Sequence, residues 1–362
     1  MLDQIPPHRP FDAFQAFVLD CKLFWTRQMF AELRRCYAAA AEVAAAGGRP
    51  PRSAEDVALL MQDDTTYQFF GWFERHQQRM KYSGRHGLAV HHAQFRDEIA
   101  RTLSEPLPDG LLQLDADFQL PEYYTAIDIH QHPGGVWSDA IAGYVYEAGA
   151  RSTAPMLDKA ESLHHRLTAA ALARAAGPVG RVADLGCGFG GSTRPFYLDH
   201  PGIEVVGVDL SAPCLRLGAQ RAAGEQARNV TFRQADAADT GLETGAFDIV
   251  TSTMLLHEMP PRHIARVLQE SHRLLAPGGL SVHLDFLCRD DPFRTFLHLG
   301  HAQRNNEPFM VPLNEMDLEA AHRDAGFEAV EILPFEEFTG ALAPEMTAWR
   351  FPWTLIVARK PA

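Results

Sequence analysis

At 362 residues the chain exceeds the usual size of one domain, so two compact units with a sizeable core are expected. Its net charge of −13, with no basic run, makes nucleic acid and anionic membranes poor partner candidates. Cys21, Cys36, Cys187, Cys214 and Cys288 are scattered and lack CxxC spacing, the N-terminal residues carry prolines and charges where a secretory leader is expected to be apolar, and no apolar stretch is long enough to span a bilayer. The expectation is a soluble cytoplasmic protein with reduced thiols.

In chain order, Phe11, Phe14, Phe17, Val18, Cys21, Phe24 and Trp25 recur at helical spacing, and an alanine-rich tail carries the pattern to Gly47-Gly48 and Pro50-Pro51. Ser53 with Asp56 in capping-box position starts a second predicted helix, which carries Tyr67, Phe69, Phe70, Trp72 and Phe73. Periodic aromatics of this kind serve as core or a helix interface, which makes a homodimer reasonable; a substrate-stacking surface is the other reading. Residues 1–150 are thus expected to form a mostly helical N-terminal domain.

That domain ends with an unusual run, Tyr123-Tyr124-Thr125-Ala126-Ile127-Asp128-Ile129-His130-Gln131-His132-Pro133-Gly134-Gly135-Val136-Trp137. Asp128, His130 and His132 alternate, so an extended segment would point all three to one side. Three uses fit them: a metal set, an acceptor-pocket wall with polar anchors, or a turn built on Pro133-Gly134-Gly135. Neighbouring ligands on one strand are geometrically awkward, so no metal is assigned. Tyr124, His130, His132 and Trp137 are carried as substrate-side candidates.

After a helix predicted near 156–176, with His164-His165 on a solvated face, Val182-Ala183-Asp184-Leu185 reads as a buried strand. It breaks into Gly186-Cys187-Gly188-Phe189-Gly190-Gly191, a turn whose glycines let backbone approach a nucleotide-like ligand. The glycines fit both a dinucleotide fingerprint and a tighter GxGxG spacing. Asp184 separates the two readings, because a carboxylate before the loop repels a pyrophosphate and favours a cationic sulfonium. S-adenosylmethionine is therefore favoured over NAD. A second strand ends in Asp209-Leu210, where the acid can accept from ribose hydroxyls. A third leads to Asp236-Ala237, placed to accept from an adenine amino group. A fourth runs to Thr253-Met254 and the loop Leu255-Leu256-His257-Glu258-Met259.

From about 156 to 359 the chain resembles a class I S-adenosylmethionine-dependent methyltransferase domain. Asp184 to Gly190 matches the first motif, Asp209 the ribose acid, Asp236 the adenine acid, and Leu275-Ala276-Pro277-Gly278-Gly279 the turn before the fifth strand. The resemblance implies an α/β, Rossmann-like, doubly wound sheet of seven strands over residues 151–362, the final pair antiparallel, and methyl transfer to a small molecule. In natural-product O-methyltransferases, which the region also resembles, the histidine of an LHDW-like segment is a general base. Here the segment is Leu256-His257-Glu258-Met259, so His257, with Glu258 beside it, is the catalytic candidate and oxygen the expected acceptor atom. A histidine that caps a helix or bonds backbone is the alternative. The winged-helix first domain of those enzymes is missing from residues 1–150, so their substrate class does not carry over. A scaffold that binds the donor for other chemistry, such as a pericyclase or decarboxylase, is the rival reading, and transfer to nitrogen or carbon is a second alternative.

His283 and Asp285 lie two apart on the fifth strand, where pairing with neighbours is the ordinary expectation. The stretch 286–314 is too long for a simple connection and is expected to form a substrate lid, with Asn305, Asn306 and Phe309 toward the acceptor. Asn314 is expected to cap the helix that follows.

Overall fold

The computed structural model describes residues 8–153, 163–342 and 346–362. Its centre is an eight-stranded sheet in the order β1-β4-β3-β2-β5-β6-β8-β7. The strands are β1 (Leu112–Gln113), β2 (Arg181–Leu185), β3 (Glu204–Asp209), β4 (Val230–Gln234), β5 (Phe247–Thr253), β6 (Leu275–Phe286), β7 (Glu328–Pro334) and β8 (Trp353–Arg359). All neighbours from β1 to β6 run parallel, while β8 lies antiparallel between β6 and β7. The central strands are near-continuous apolar runs because helices cover both faces. Leu163, Leu167, Phe196 and Leu215 pack on one side, and Ile264, Val267, Leu268 and Leu318 on the other. The chain leaves β2 for β3 and β4, then crosses back to β5, so the crevice at the ends of β2 and β5 is where an open α/β sheet binds its ligand.

The expected seven strands gain an eighth, β1, from the N-terminal region. Leu111 accepts from the backbone N–H of Phe232 at 2.8 Å and extends the edge of β4. Two residues are too few to show an alternating pattern, which is why the sequence hid this strand.

The first helix runs Arg9–Phe24, passes through a π turn at Trp25–Met29, and continues as Phe30–Ala46. Trp25 there is wholly buried and donates its indole N–H to the carbonyl of Phe70 at 3.1 Å. The expected second helix is two: Ala54–Met61, with the Ser53/Asp56 capping box, and Thr65–Ser83. Asp64 restarts the helix by accepting from the backbone N–H of Tyr67 at 2.8 Å.

The 286–314 stretch is a built part of the core. Its helices Pro292–Arg304 and Met310–Glu315 bring Phe293 and Phe296 into a cluster with Trp25, Phe30, Val57 and Phe70. Asn314 caps no helix; its Oδ1 accepts from the backbone N–H of Cys288, and Asp317 caps Leu318–Asp324. The predicted helix start near 156 lies outside the described residues, and Leu163–Arg174 is helical.

The N-terminal helices also close on the donor side of the sheet. Helix Ala142–Thr153 lies so near Ala212–Gly224 that a methyl group on Gly143 would sit 2.6 Å from the carbonyl oxygen of Pro213. Ser211 donates to the carbonyl of Val136 at 2.6 Å across the same seam.

Candidate active site

A cleft of about 1110 Å³ lies at the ends of β2, β3 and β5. One wall is the sheet: Gly186, Cys187, Gly188, Asp209, Leu210, Asp236, Ala237, Thr253, Met254 and Glu258. The opposite wall is N-terminal: Tyr123, Tyr124, Ile129, His130, Val136 and Tyr146.

Gly188 takes φ +53°, and a methyl group added there would meet nothing within 4 Å, so the loop leaves bare backbone toward the cleft. At Gly186, φ +67°, an added methyl would collide with Leu255 at 2.5 Å, which fixes the loop against the end of β5. Gly190, φ +81°, lies under the turn beside Phe232 and outside the wall. Asp209 accepts from the backbone N–H of Gly188 at 2.8 Å and of Ser211 at 2.7 Å. Burial, opposed by those bonds and helped by Glu258, pushes its pKa up to about 6. Asp236 accepts from His263 Nε2 at 2.9 Å and the Ala238 N–H at 2.8 Å; despite partial burial these partners hold it below its ordinary value. Met254, at the end of β5, adopts φ +55°, a costly conformation for a residue with a side chain.

Asp184 stands elsewhere than the sequence suggested. It is wholly buried behind the loop, outside the cleft wall, where Oδ2 accepts from Ser192 Oγ at 2.8 Å and Thr193 Oγ1 at 2.7 Å. Burial raises its pKa to about 6. Its carboxylate ties the glycine turn to the start of helix Thr193–Asp199, and the acids that face the cleft are Asp209, Asp236 and Glu258.

His257 and Glu258 diverge. Glu258 faces the cleft, whereas His257 is buried outside its wall with Nδ1 against Asp285 Oδ1 at 2.6 Å. Burial opposes its charge, but Asp285 outweighs that and raises its pKa to about 8. Asp285 Oδ2 also accepts from the backbone N–H of Leu256 at 2.8 Å, so the pair anchors the loop that presents Glu258. His283 is pinned by Ser252 and Ser281 at 2.7 and 2.8 Å, and burial drives its pKa down to about 3.

The Asp128–His132 run is a tight turn and not an extended strand. His130 and Gln131 have φ of +54° and +55°, so the three polar side chains part company. Asp128 accepts from the Gly134 N–H at 3.1 Å. His132 is buried edge-on to Tyr82, and burial lowers its pKa to about 4. His130 alone reaches the cleft, with Nε2 against Glu258 at 3.1 Å and Nδ1 against Glu307 at 3.0 Å. Burial works against its charge, yet the two carboxylates raise its pKa to about 10. Among the described residues, no three His, Cys, Asp or Glu side chains are grouped to hold a metal ion.

Of the other substrate-side candidates, Tyr124 lines the cleft, whereas Trp137, Asn305, Asn306 and Phe309 do not. Trp137 covers Gly135, Asn305 bonds Glu74 and His301, Asn306 donates to the Asp128 carbonyl at 3.2 Å, and Phe309 packs against Tyr123. His164, expected on a solvated face, lines the cleft beside Gly191, and burial lowers its pKa to about 4. Tyr146, Cys214 and His164 are wall residues that sequence reasoning missed. Tyr146 alone carried a signal, as an aromatic side chain on a helix following the Tyr123–Trp137 run.

A family model described as a methyltransferase domain matches residues 182–279. Over 108 residues the chain is 37% identical to a methyltransferase of Synechocystis sp., covering 30% of this chain and 48% of that protein. It is 38% identical to the chloroplastic tocopherol O-methyltransferase of Arabidopsis thaliana, covering 27% and 28%. With a demethylmenaquinone methyltransferase of Lactiplantibacillus plantarum it shares 37% identity, covering 31% and 47%. The chain thus spans less than half the length of these curated relatives. Among solved structures, the YcgJ protein of a Bacillus aligns with TM-score 0.42 and 19% identity, over 55% of this chain and 99% of that one.

Proposed function

We propose that the chain, which carries a class I S-adenosylmethionine-dependent methyltransferase domain, moves a methyl group from that donor to an oxygen of a small organic acceptor. The observation that carries this reading is a single cleft with two unlike walls: strand-end acids and bare glycine backbone on one side, aromatic rings with the His130–Glu258 pair on the other. The relatives named for tocopherol and demethylmenaquinone support a small organic acceptor.

The residues present fit the donor. Gly188 offers open backbone, and Asp209, Asp236 and Ala237 line the cleft, which supports a ribose beside Asp209 and an adenine beside Asp236 and Ala237. Bound S-adenosylmethionine supplies a methyl group on a sulfonium, already an excellent leaving group. The protein's tasks are therefore alignment, exclusion of water and custody of a proton. Asp209, Asp236 and Glu258 give the cleft the sign that a cation prefers over a diphosphate. Tyr124, Tyr146 and Phe189 wall off water. We assign the base to Glu258 rather than His257, because Glu258 faces the cleft while His257 and Asp285 hold its loop in place.

Incubation with methyl-labelled donor and a panel of phenols, carboxylic acids and amines tests the reading. Label is expected on a phenol or carboxylic acid. Donor that binds in calorimetry but never yields its methyl to any class would point to other chemistry on the same scaffold.

A further inference from the structure

Helix Thr65–Ser83 is turned inside out. Phe69 and Trp72 are 50% and 53% exposed, whereas Glu74, Gln77, Gln78 and Lys81, spaced to share one face, line a second cavity of about 330 Å³. Val18 and Lys22 of helix Arg9–Phe24 and Asn305 of the insertion complete its wall, and none of these residues lines the cleft. An apolar stripe would have closed the core at less cost, and departures of this kind mark functional positions.

The carboxylate in this wall is already committed. Glu74 Oε1 bonds His301 Nδ1, and its Oε2 accepts from Arg304 Nε, which ties the helix to the insertion. Glu307 nearby is engaged in the same way by His130 Nδ1 at 3.0 Å. The lysines are placed differently. Among the described residues the Lys22 ammonium has no hydrogen-bond partner, and it rests over the Trp25 ring at 4.8 Å. Lys81, 4% exposed, donates to the Gly149 carbonyl at 3.5 Å. Burial lowers the pKa of both ammonium groups; Lys22 pushes Lys81 further, to about 7, and Glu307 opposes the fall at both. Gln77 and Gln78 each give one amide N–H to a backbone carbonyl at 2.8 Å, of Val18 and His130 respectively, and each keeps a second.

We propose that this cavity binds a compact oxyanion, a carboxylate or a phosphate, between the ammonium groups of Lys22 and Lys81. Two cationic donors with spare amide N–H groups beside them are the donor set that such a group takes, and charge-assisted bonds strengthen where water is scarce. The lysines repel a cation, and a neutral ligand would leave Lys22 without a counter-charge. The anion lies behind the acceptor wall. Gln78, which lines the cavity, holds the His130 carbonyl, so occupancy is felt at the turn that carries the His130–Glu258 pair. The inference does not depend on methyl transfer.

Inorganic phosphate and acetate, titrated separately into the full chain at constant ionic strength and followed by calorimetry, test the site, each with and without S-adenosylhomocysteine in the cleft. One saturable site is expected for at least one probe, and the tighter of the two tells phosphate from carboxylate. Lys22→Met, which keeps the reach of the side chain and removes its charge, should weaken that probe at least roughly tenfold, whereas Lys22→Arg should retain it. Should the Met variant fold poorly, Lys81→Met is expected to show the same loss. Absence of saturable binding for both probes, binding that S-adenosylhomocysteine displaces, or binding unchanged in folded Lys22→Met would overturn the site.

Discussion

The two walls of the cleft are made differently. The sheet wall places its groups by backbone: Asp209 is set by the end of β3 and held by two N–H donors, and Gly188 by a loop pinned between Leu255 and the start of a helix. The N-terminal wall places His130 by long-range side-chain contacts: it stands between Glu258 and Glu307, and its turn rests on Gln78, which donates to the His130 carbonyl at 2.8 Å. A wall fixed by strand ends suits a donor common to many enzymes. A wall fixed by long-range side chains can be altered without disturbing the sheet, which suits an acceptor particular to this chain.

Four perturbations should pull the walls apart. The largest effect is expected from Glu258→Gln: turnover on the acceptor found with the labelled panel should fall by roughly 10²–10⁴-fold, with calorimetric donor affinity moving far less. Equal losses in both would place Glu258 in the donor site only. Next, Trp25→Ala removes a wholly buried ring and should cost about 3–5 kcal/mol in denaturant unfolding. Donor affinity of the folded fraction should stay near wild type; a parallel loss would mean that the walls are one unit. Asp209→Ala does the converse, weakening donor binding by about 1.5–3 kcal/mol, roughly 10- to 150-fold, with thermal stability of the N-terminal helices retained.

The smallest effect is on pH dependence. His130, raised from 6.5 to about 10, contributes stability that is full below pH 6.5 and lost as pH rises through 10. Glu307, held down from 4.5 to about 2, contributes stability present above pH 4.5 and lost as pH falls through 2. The contact is therefore strongest between 4.5 and 6.5, and melting temperature should decline on the alkaline side. His130→Gln should flatten that limb; an unchanged alkaline decline would assign it to other groups.

Legibility in the sequence follows the same division. Strands β2 and β3 were readable because their apolar runs carry an acid at or near the end, and both lie where the pattern predicts. The final antiparallel pair follows the family topology. Side-chain placement was not readable. Asp184 ends a strand like Asp209, yet Ser192 and Thr193 draw it behind the loop. The Asp128–His132 alternation suggested a strand, but positive φ at His130 and Gln131, residues with no glycine-like freedom, turned it into a hook. Glu74 and His301, more than 200 positions apart, meet only through tertiary packing, and no local pattern announces such a pair. The signal available for Glu74 was a lone acid within an aromatic helix run.

The central claim is that one cleft joins a strand-end donor wall to an N-terminal acceptor wall, and a crystal structure with S-adenosylhomocysteine tests it most directly. The account predicts ribose hydroxyls on Asp209, the adenine beside Asp236 and Ala237, and the thioether against the wall formed by His130, Tyr146 and Glu258. A ligand bound with its thioether turned away from those three side chains, or bound outside the cleft, would contradict it.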